Sequence, residues 1–570
     1  MKNMKKNKSI KFLACALGHA LVFLPVWLAG GCGSAENGGE TPEIPEAPQW
    51  VALELAFQSE KNFTGDEIFV AGGYELDLVF TSEKGTVLTV PGFWDGGGTW
   101  KARFAPTETG SWTYLTKFTD TKDHGLHGQK GSILCVPYEG GLDIYKRGFV
   151  KAEPGKKHFT YADGTPFFYL GDTHWSMPGE PFDTMFKAIV DDRAKKGFTV
   201  YQSEPLGAKY NLAGGFDEST LEGFRDLDER FSYIAKKGLV HANAQFFFAA
   251  ELGWNRAAYT DEYLEKLARH WAARYAAYPV MWTTAQEADK DFYATFRNEH
   301  SFYGPNDNPW RIVFEAVHKY DPYGHPATAH QENTASTRAN DSSFKDLPGH
   351  DWFAAQWSPA LSGRLDFGVA KEYWDHDKIC VNYEGRYENL WTKESGARIQ
   401  GWIAYLNGMF GYGYGAIDIW LYNSTYDMDT TSNDGIEAIT PEDKAVKWQE
   451  SINFAASSQM GYMRDFFEKL EWWTLIPRFG DADYFQPQKQ TLYSIAGNMQ
   501  NSLIVIYFYN LKNTHTGVIN GLSDKAHSFV WYDPANNRYY PEIEIFPSGG
   551  SYNIGEKPDI GDWVLVISEK

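Results

Sequence analysis

The spacing of apolar positions changes character twice along the chain. From Gln49 to about Tyr145, short runs such as LELAFQ, ELDLVFTS, GTVLTVPGFW and GSWTYLTKFTD alternate apolar with polar residues and are broken by Gly, Pro, Asp and Asn. A period of two with one apolar face is a half-buried strand, and turn signals at this spacing predict a small β-sandwich. From Phe159 to about Met460 the apolar runs become continuous and alternate with amphipathic helical stretches. Strands covered on both faces read this way, so the region predicts β/α units. From Trp472 to Lys570 the alternation returns in TLYSIAG, SLIVIYFYN, SFVWYDPANNRYY and DWVLVIS, predicting a second sandwich.

Eight candidate strands can be placed in the middle region. FFYLGDTHW ends at Asp172, FTVYQSEP near Gln202, and LVHANAQFFF is third. PVMWTTAQE ends at Glu287, PATAHQEN at His330, and DWFAAQWSP at Gln356 and Trp357. ICVNYEGRYE carries Glu384, and GYGYGAIDIW ends at Asp418 and Trp420. Helical stretches lie at Thr184–Lys196, Glu222–Lys237, Asp261–Tyr278, Pro309–Tyr320 and Glu394–Met409, with Lys-Lys-Gly endings at Gly197 and Gly238 that suit helix C-termini. The profile is α/β, a (β/α)8 TIM barrel over 146–462 flanked by β-sandwiches at 49–145 and 463–570.

The N-terminus adds an export signal. Lys2–Lys11 is basic, Phe12–Leu28 is apolar, and Ala29-Gly30-Gly31 precedes Cys32. Small residues ahead of a Cys resemble a bacterial lipobox, which would make 1–31 a lipoprotein-type signal peptide and Cys32 the lipidated first residue; the alternative is a plain secreted protein. Residues 32–48, rich in Gly, Glu and Pro, read as a tether. The protein is therefore expected to be exported and held to a membrane, the outer membrane, on its periplasmic or surface face. The formal charge of −21 argues against nucleic acid as a partner. Cys135 and Cys380 sit in apolar runs and read as buried free thiols.

Carboxylates at barrel strand ends carry the chemistry. A glycosidase needs two, one to protonate the leaving oxygen and one to attack the anomeric carbon. The fourth and seventh strands face each other across a barrel mouth, which assigns Glu287 as acid/base and Glu384 as nucleophile. The competing reading makes either one a structural partner of Arg386 or Arg398, and Asp289 and Glu388 are rival acids. Around the pair, Asp172, His174, Trp175, Gln202, His330, Gln356, Trp357 and Trp420 stand where hydroxyls and ring faces of a sugar would lie. His and Asp in DTHW, His350-Asp351 and Asp375–Asp377 lack metal-site spacing, and there is no GxSxG elbow, so neither a metal nor a cofactor is expected.

FTYADGTPFFYLGDTHW, AKKGFTVYQ, FSYIAKKGLV, YPVMWTTAQEADKD, VNYEGRYE and GYGYGAIDIW, in this order, resemble the domain of unknown function 4038 family. This is the apiosidase-like group near glycoside hydrolase family 140. VPGFWDGGGTWKARFAPTETGSWTY resembles the domain of unknown function 5060 module, and the last region looks like the collagen-binding-type sandwich often appended to this family. The resemblance implies a retaining, two-carboxylate glycosidase acting on a complex plant or microbial polysaccharide. The family's seventh-strand Glu matches Glu384. Its fourth-strand acid is commonly an Asp in a Gly-Gly-Asp setting, whereas this chain has Ala285-Gln286-Glu287, a departure that bears on the sugar accepted more than on the chemistry. The alternative function is a non-catalytic glycan-binding surface lipoprotein. Retention of both acids favours the enzyme, since a binder has no reason to desolvate two carboxylates together.

Overall fold

The computed structural model of the 570-residue protein describes residues 27–28, 44–205, 212, 215–246, 257–291, 302–304, 306–422, 425 and 427–570. Cys32 and most of the expected leader and tether lie outside the described residues.

Strands of the middle region form one eight-stranded parallel sheet. They are β1 (Tyr169–Thr173), β2 (Val200–Ser203), β3 (Val240–Phe246), β4 (Val280–Ala285), β5 (His330–Asn333), β6 (Trp352–Gln356), β7 (Ile379–Asn382) and β8 (Gly411–Tyr414). The order β4-β3-β2-β1-β8-β7-β6-β5 is that of a barrel cut between β4 and β5. The cut is closed by backbone bonds just before β5: Trp282 N–H donates to the Pro326 carbonyl at 2.9 Å and Thr328 N–H to the Trp282 carbonyl at 2.8 Å. Every residue of β4, β7 and β8 is buried, which is why these strands read as unbroken apolar or small runs.

The helices between strands follow their sequence signals. Glu218–Lys236 starts at Asp217, whose carboxylate accepts from Thr220 N–H, and Asp261–Tyr275 starts at Thr260, whose hydroxyl accepts from Tyr263 N–H. The Lys-Lys-Gly endings close with Gly197 and Gly238 at φ of 86° and 77°, left-handed positions that a side chain resists. Two elements differ from the sequence reading. The eighth strand stops at Tyr414, so Asp418 and Trp420 lie in the turn beyond it, where Asp418 accepts from Trp448 N–H at 2.7 Å. The fifth begins at His330 instead of ending there and carries Glu332 to the rim.

Both flanks are strand-rich. In the first, Gly110–Phe118 buries Trp112, Tyr114, Thr116 and Phe118 and turns Thr113, Leu115 and Lys117 outward. Its two sheets meet at Phe80 and Phe104, whose rings stack at 3.8 Å. It docks on the barrel helices through buried charge: Arg103 reaches Glu54 at 2.9 Å and Asp228 at 2.6 Å, and Arg274 reaches Asp228 at 2.6 Å and Asp95 at 3.1 Å. The last region docks through Arg398, which makes a two-pronged pair with Asp562 at 2.7 and 2.8 Å. Tyr507 donates to the same carboxylate at 2.7 Å.

Candidate active site

At the C-terminal ends of the strands lies a cleft of about 830 Å3 lined by Trp175, Gln286, Glu287, Lys290, Glu332, Asn333, Gln356, Glu384, Arg386, Trp391 and Trp420, among others. The volume falls within the range of small-molecule sites.

Glu287 reaches the cleft through a local irregularity. The register between β3 and β4 slips twice, from Asn243–Trp282 to Ala244–Thr284 to Phe246–Ala285. Thr284 and Glu287 take φ of 59° and 50°. Bulges at a barrel rim bend the strand and re-aim the residues that follow. The turn is pinned on both sides: Ala288 N–H donates to the His330 carbonyl at 3.0 Å, and the Asn308 amide to the Ala288 carbonyl at 2.7 Å. Asp289 points away from the cleft and accepts from the Ser343 N–H at 2.8 Å and hydroxyl at 2.5 Å, which makes it the anchor of the loop and removes it as a rival acid.

Glu384 follows β7 by two residues and is held on both oxygens. Tyr387 donates to Oε1 at 2.5 Å and Gln356 to Oε2 at 2.9 Å, while His330 Nε2 stands 3.2 Å from Oε2. The far side of His330 faces Glu204, with Nδ1 3.4 Å from its carboxylate. Glu388, the other rival, is buried against Tyr414, whose hydroxyl donates to it at 2.6 Å, and does not line the cleft.

These environments push the two cleft acids apart. Burial, reinforced by the charge of Glu332, raises the Glu287 carboxyl to about 8. Burial also works to raise Glu384, but the hydrogen bond and charge of His330, with Tyr387 and Gln356, outweigh it and hold Glu384 below its ordinary range. Burial would strip the proton from His330, yet Glu204 and Glu384 on either side push it up to about 10. Burial pushes the Glu204 carboxyl well above its ordinary range, against the pull of His330. At neutral pH the cleft therefore presents a protonated Glu287 and an ionised Glu384, the division of labour that general acid and nucleophile require.

Of the other residues read from the sequence, Trp175, Gln356 and Trp420 line the cleft. Tyr387 stacks with Trp391 at 5.1 Å and lies 4.9 Å from Trp420, so an aromatic wall stands beside Glu384. Five expectations of substrate contact are corrected. Asp172 is wholly buried, where it pairs with Arg193. His174 is buried beside it, stacked on Tyr201 at 4.3 Å between Asp172 and Glu180. Gln202 is spent on the barrel interior, donating to the Tyr383 carbonyl at 2.9 Å. Trp357 is buried, its backbone clamped by Asn382. His330 is also buried and acts through Glu384 rather than on the open cleft. Sequence reasoning missed Glu204, Glu332, Lys290, Tyr387 and Trp391. Glu204 and Glu332 each stand two residues beyond a polar residue of a candidate strand, Gln202 and His330, and that proximity to a strand end is the signal the sequence offers for them.

The family model described as apiosidase-like, catalytic domain matches residues 153–474, and the domain of unknown function DUF5060 matches 46–119. Among solved structures, a candidate glycoside hydrolase from Bacteroides vulgatus is similar over 92% of this chain and 100% of its own, at 18% identity and a TM-score of 0.67. A glycoside hydrolase family 5 structure from Bacteroides vulgatus is similar over 76% of this chain and 95% of its own, at 14% identity and a TM-score of 0.58. A structure described as a glycoside hydrolase gives 76% and 99%, 14% identity and a TM-score of 0.55. No match is found among the curated proteins. These likenesses share the fold, and the family model covers more than half of the chain: this protein belongs to the apiosidase-like family and is a glycosidase.

Proposed function

We propose that the protein hydrolyses a glycosidic bond in a complex polysaccharide with retention of configuration, through Glu384 as nucleophile and Glu287 as acid/base. The observation that carries this reading is the placing of two carboxyl groups on one cleft in opposed surroundings, Glu287 buried beside Glu332 and Glu384 held by His330, Tyr387 and Gln356. In the first step a Glu384 oxygen bonds to the anomeric carbon while Glu287 gives its proton to the departing oxygen. In the second, Glu287, now a carboxylate, takes a proton from water as the water oxygen displaces Glu384. The charge of Glu384 is one of the influences raising Glu287, so forming the glycosyl ester removes it and makes Glu287 more acidic when it must act as base. Trp391 and Trp420 supply ring faces for sugar stacking. Export and attachment to a membrane through Cys32 belong to the same proposal and rest on the leader sequence.

The test is incubation of the purified protein, Glu287→Gln and Glu384→Gln with a panel of plant and bacterial polysaccharides, reading released sugars by mass. Product from the wild type and its near-complete loss in both variants supports the reading. A wild type that binds a glycan without releasing product replaces it with the glycan-binding alternative.

A further inference from the structure

Among the described residues three carboxylates, not two, line the cleft, and the third comes with a lysine. Glu332 lies on β5 two residues past His330, within an irregularity in the register of β5 against β6, and lines the cleft while His330 is buried. Its carboxylate is held at both ends: Oε1 accepts from Asn333 N–H at 3.2 Å and Oε2 lies 2.6 Å from Lys290 Nζ. Lys290 sits three residues past Glu287 in the acid's own turn, and its ammonium stands 3.8 Å from Glu287 Oε2. The lysine therefore reaches both Glu287 and Glu332 and lies closer to the one that is not the acid.

We propose that Glu332 is a positioning residue that holds the Lys290 ammonium off Glu287, so that the acid meets a compensated ion pair instead of a naked cation. The inference rests on the role proposed for Glu287. Its logic is electrostatic: an ammonium in direct contact with a buried carboxyl favours the ionised form, and an ionised Glu287 has no proton to give. Glu332 prevents this in two ways, by binding the cation and by placing its own negative charge nearby. The groups facing Glu287 agree in sign: Glu332 and Glu384 raise its proton affinity, and Lys290 and His330 lower it. Glu204 lies behind His330, its carboxylate 3.4 Å from Nδ1.

The test compares Glu332→Gln, Lys290→Met and the double variant, each near-isosteric with the residue replaced. Titration of the Glu287 carboxyl is followed by infrared difference spectroscopy, with the band assigned by its loss in Glu287→Gln. Glu332→Gln removes the charge that the lysine meets at 2.6 Å and moves the Glu287 titration down by about one pH unit or more, Lys290→Met moves it up by a similar amount, and the double variant returns toward wild type. On a cleaved glycan, the alkaline limb of the rate profile moves the same way, which a merely structural role would not produce. Thermal melts confirm folding, and should one single variant fail to fold, the other and the double variant decide. Single variants that leave the titration unmoved, or shift it in the same direction, overturn the inference. Opposite shifts in a protein that cleaves no glycan would leave the charge pair standing and remove the catalytic role instead.

Discussion

The Tyr387 hydroxyl donates to Glu384 Oε1 at 2.5 Å from three residues along the same loop. A hydrogen bond to a charged acceptor contributes about 1.5–3 kcal/mol. Tyr387→Phe keeps the ring between Trp391 and Trp420 and loses only that donor. The expected result is a fall in kcat of roughly ten- to a hundred-fold. The acid limb of the pH profile should move up, because the lost bond helped keep Glu384 ionised. Steady-state kinetics across pH checks both.

The wild-type profile should be bell-shaped in kcat/KM. Activity requires a protonated Glu287, so it falls as pH rises past about 8. It also requires an ionised Glu384, so the acid limb lies below the ordinary glutamate value of 4.5. An alkaline limb that persists unchanged in Glu287→Gln would assign that proton to another group.

His330 separates two buried carboxyl groups, and removing it leaves Glu384 without its cation. Breaking a buried pair this way costs about 3–5 kcal/mol, so His330→Ala should lower the melting temperature clearly. Glu204→Gln should be milder, because His330 keeps Glu384 as its partner at 3.2 Å. The pH dependence has a definite sign. His330 rises from 6.5 unfolded to about 10 folded, so its contribution is complete below pH 6.5 and fades as pH climbs toward 10. Melts from pH 6 to 10 should show a decline that is shallower in His330→Ala, the raised Glu287 carboxyl contributing to both proteins up to about pH 8.

Glu287 occupies a left-handed backbone conformation, φ 50°, that glycine and asparagine tolerate better than glutamate. Glu287→Asn should therefore abolish activity while stabilising the fold by about 1 kcal/mol. Glu287→Val, β-branched, should destabilise it. Thermal melts of the two variants rank the backbone strain directly, and equal losses from both would show that the turn stores none.

The barrel was legible because its strands are buried on both faces and some of its helices carry end signals, Asp217 and Thr260 at their starts and Gly197 and Gly238 at their ends. Glu287 and Glu384 were legible because a carboxylate ending an apolar run has few structural uses. What stayed hidden is which way a rim residue points. Asp172, His174 and Gln202 carry the same strand-end signature as Glu384, yet Arg193 and the Tyr383 carbonyl draw two of them into the interior and Tyr201 stacks on the third. Glu332 was hidden for a related reason, since the sequence places the strand's end at His330 and the strand runs on to Asn333. The bulge at Thr284 has no composition signal at all.

The central claim is that Glu384 forms a bond to the sugar, and the most direct measurement is intact-protein and peptide mass spectrometry after reaction with activated 2-fluoro glycosides matching the released sugar. The account predicts a single added glycosyl mass, mapped to Glu384 and absent in Glu384→Gln. Turnover without an adduct, together with a first product of inverted anomeric configuration by NMR, would contradict it.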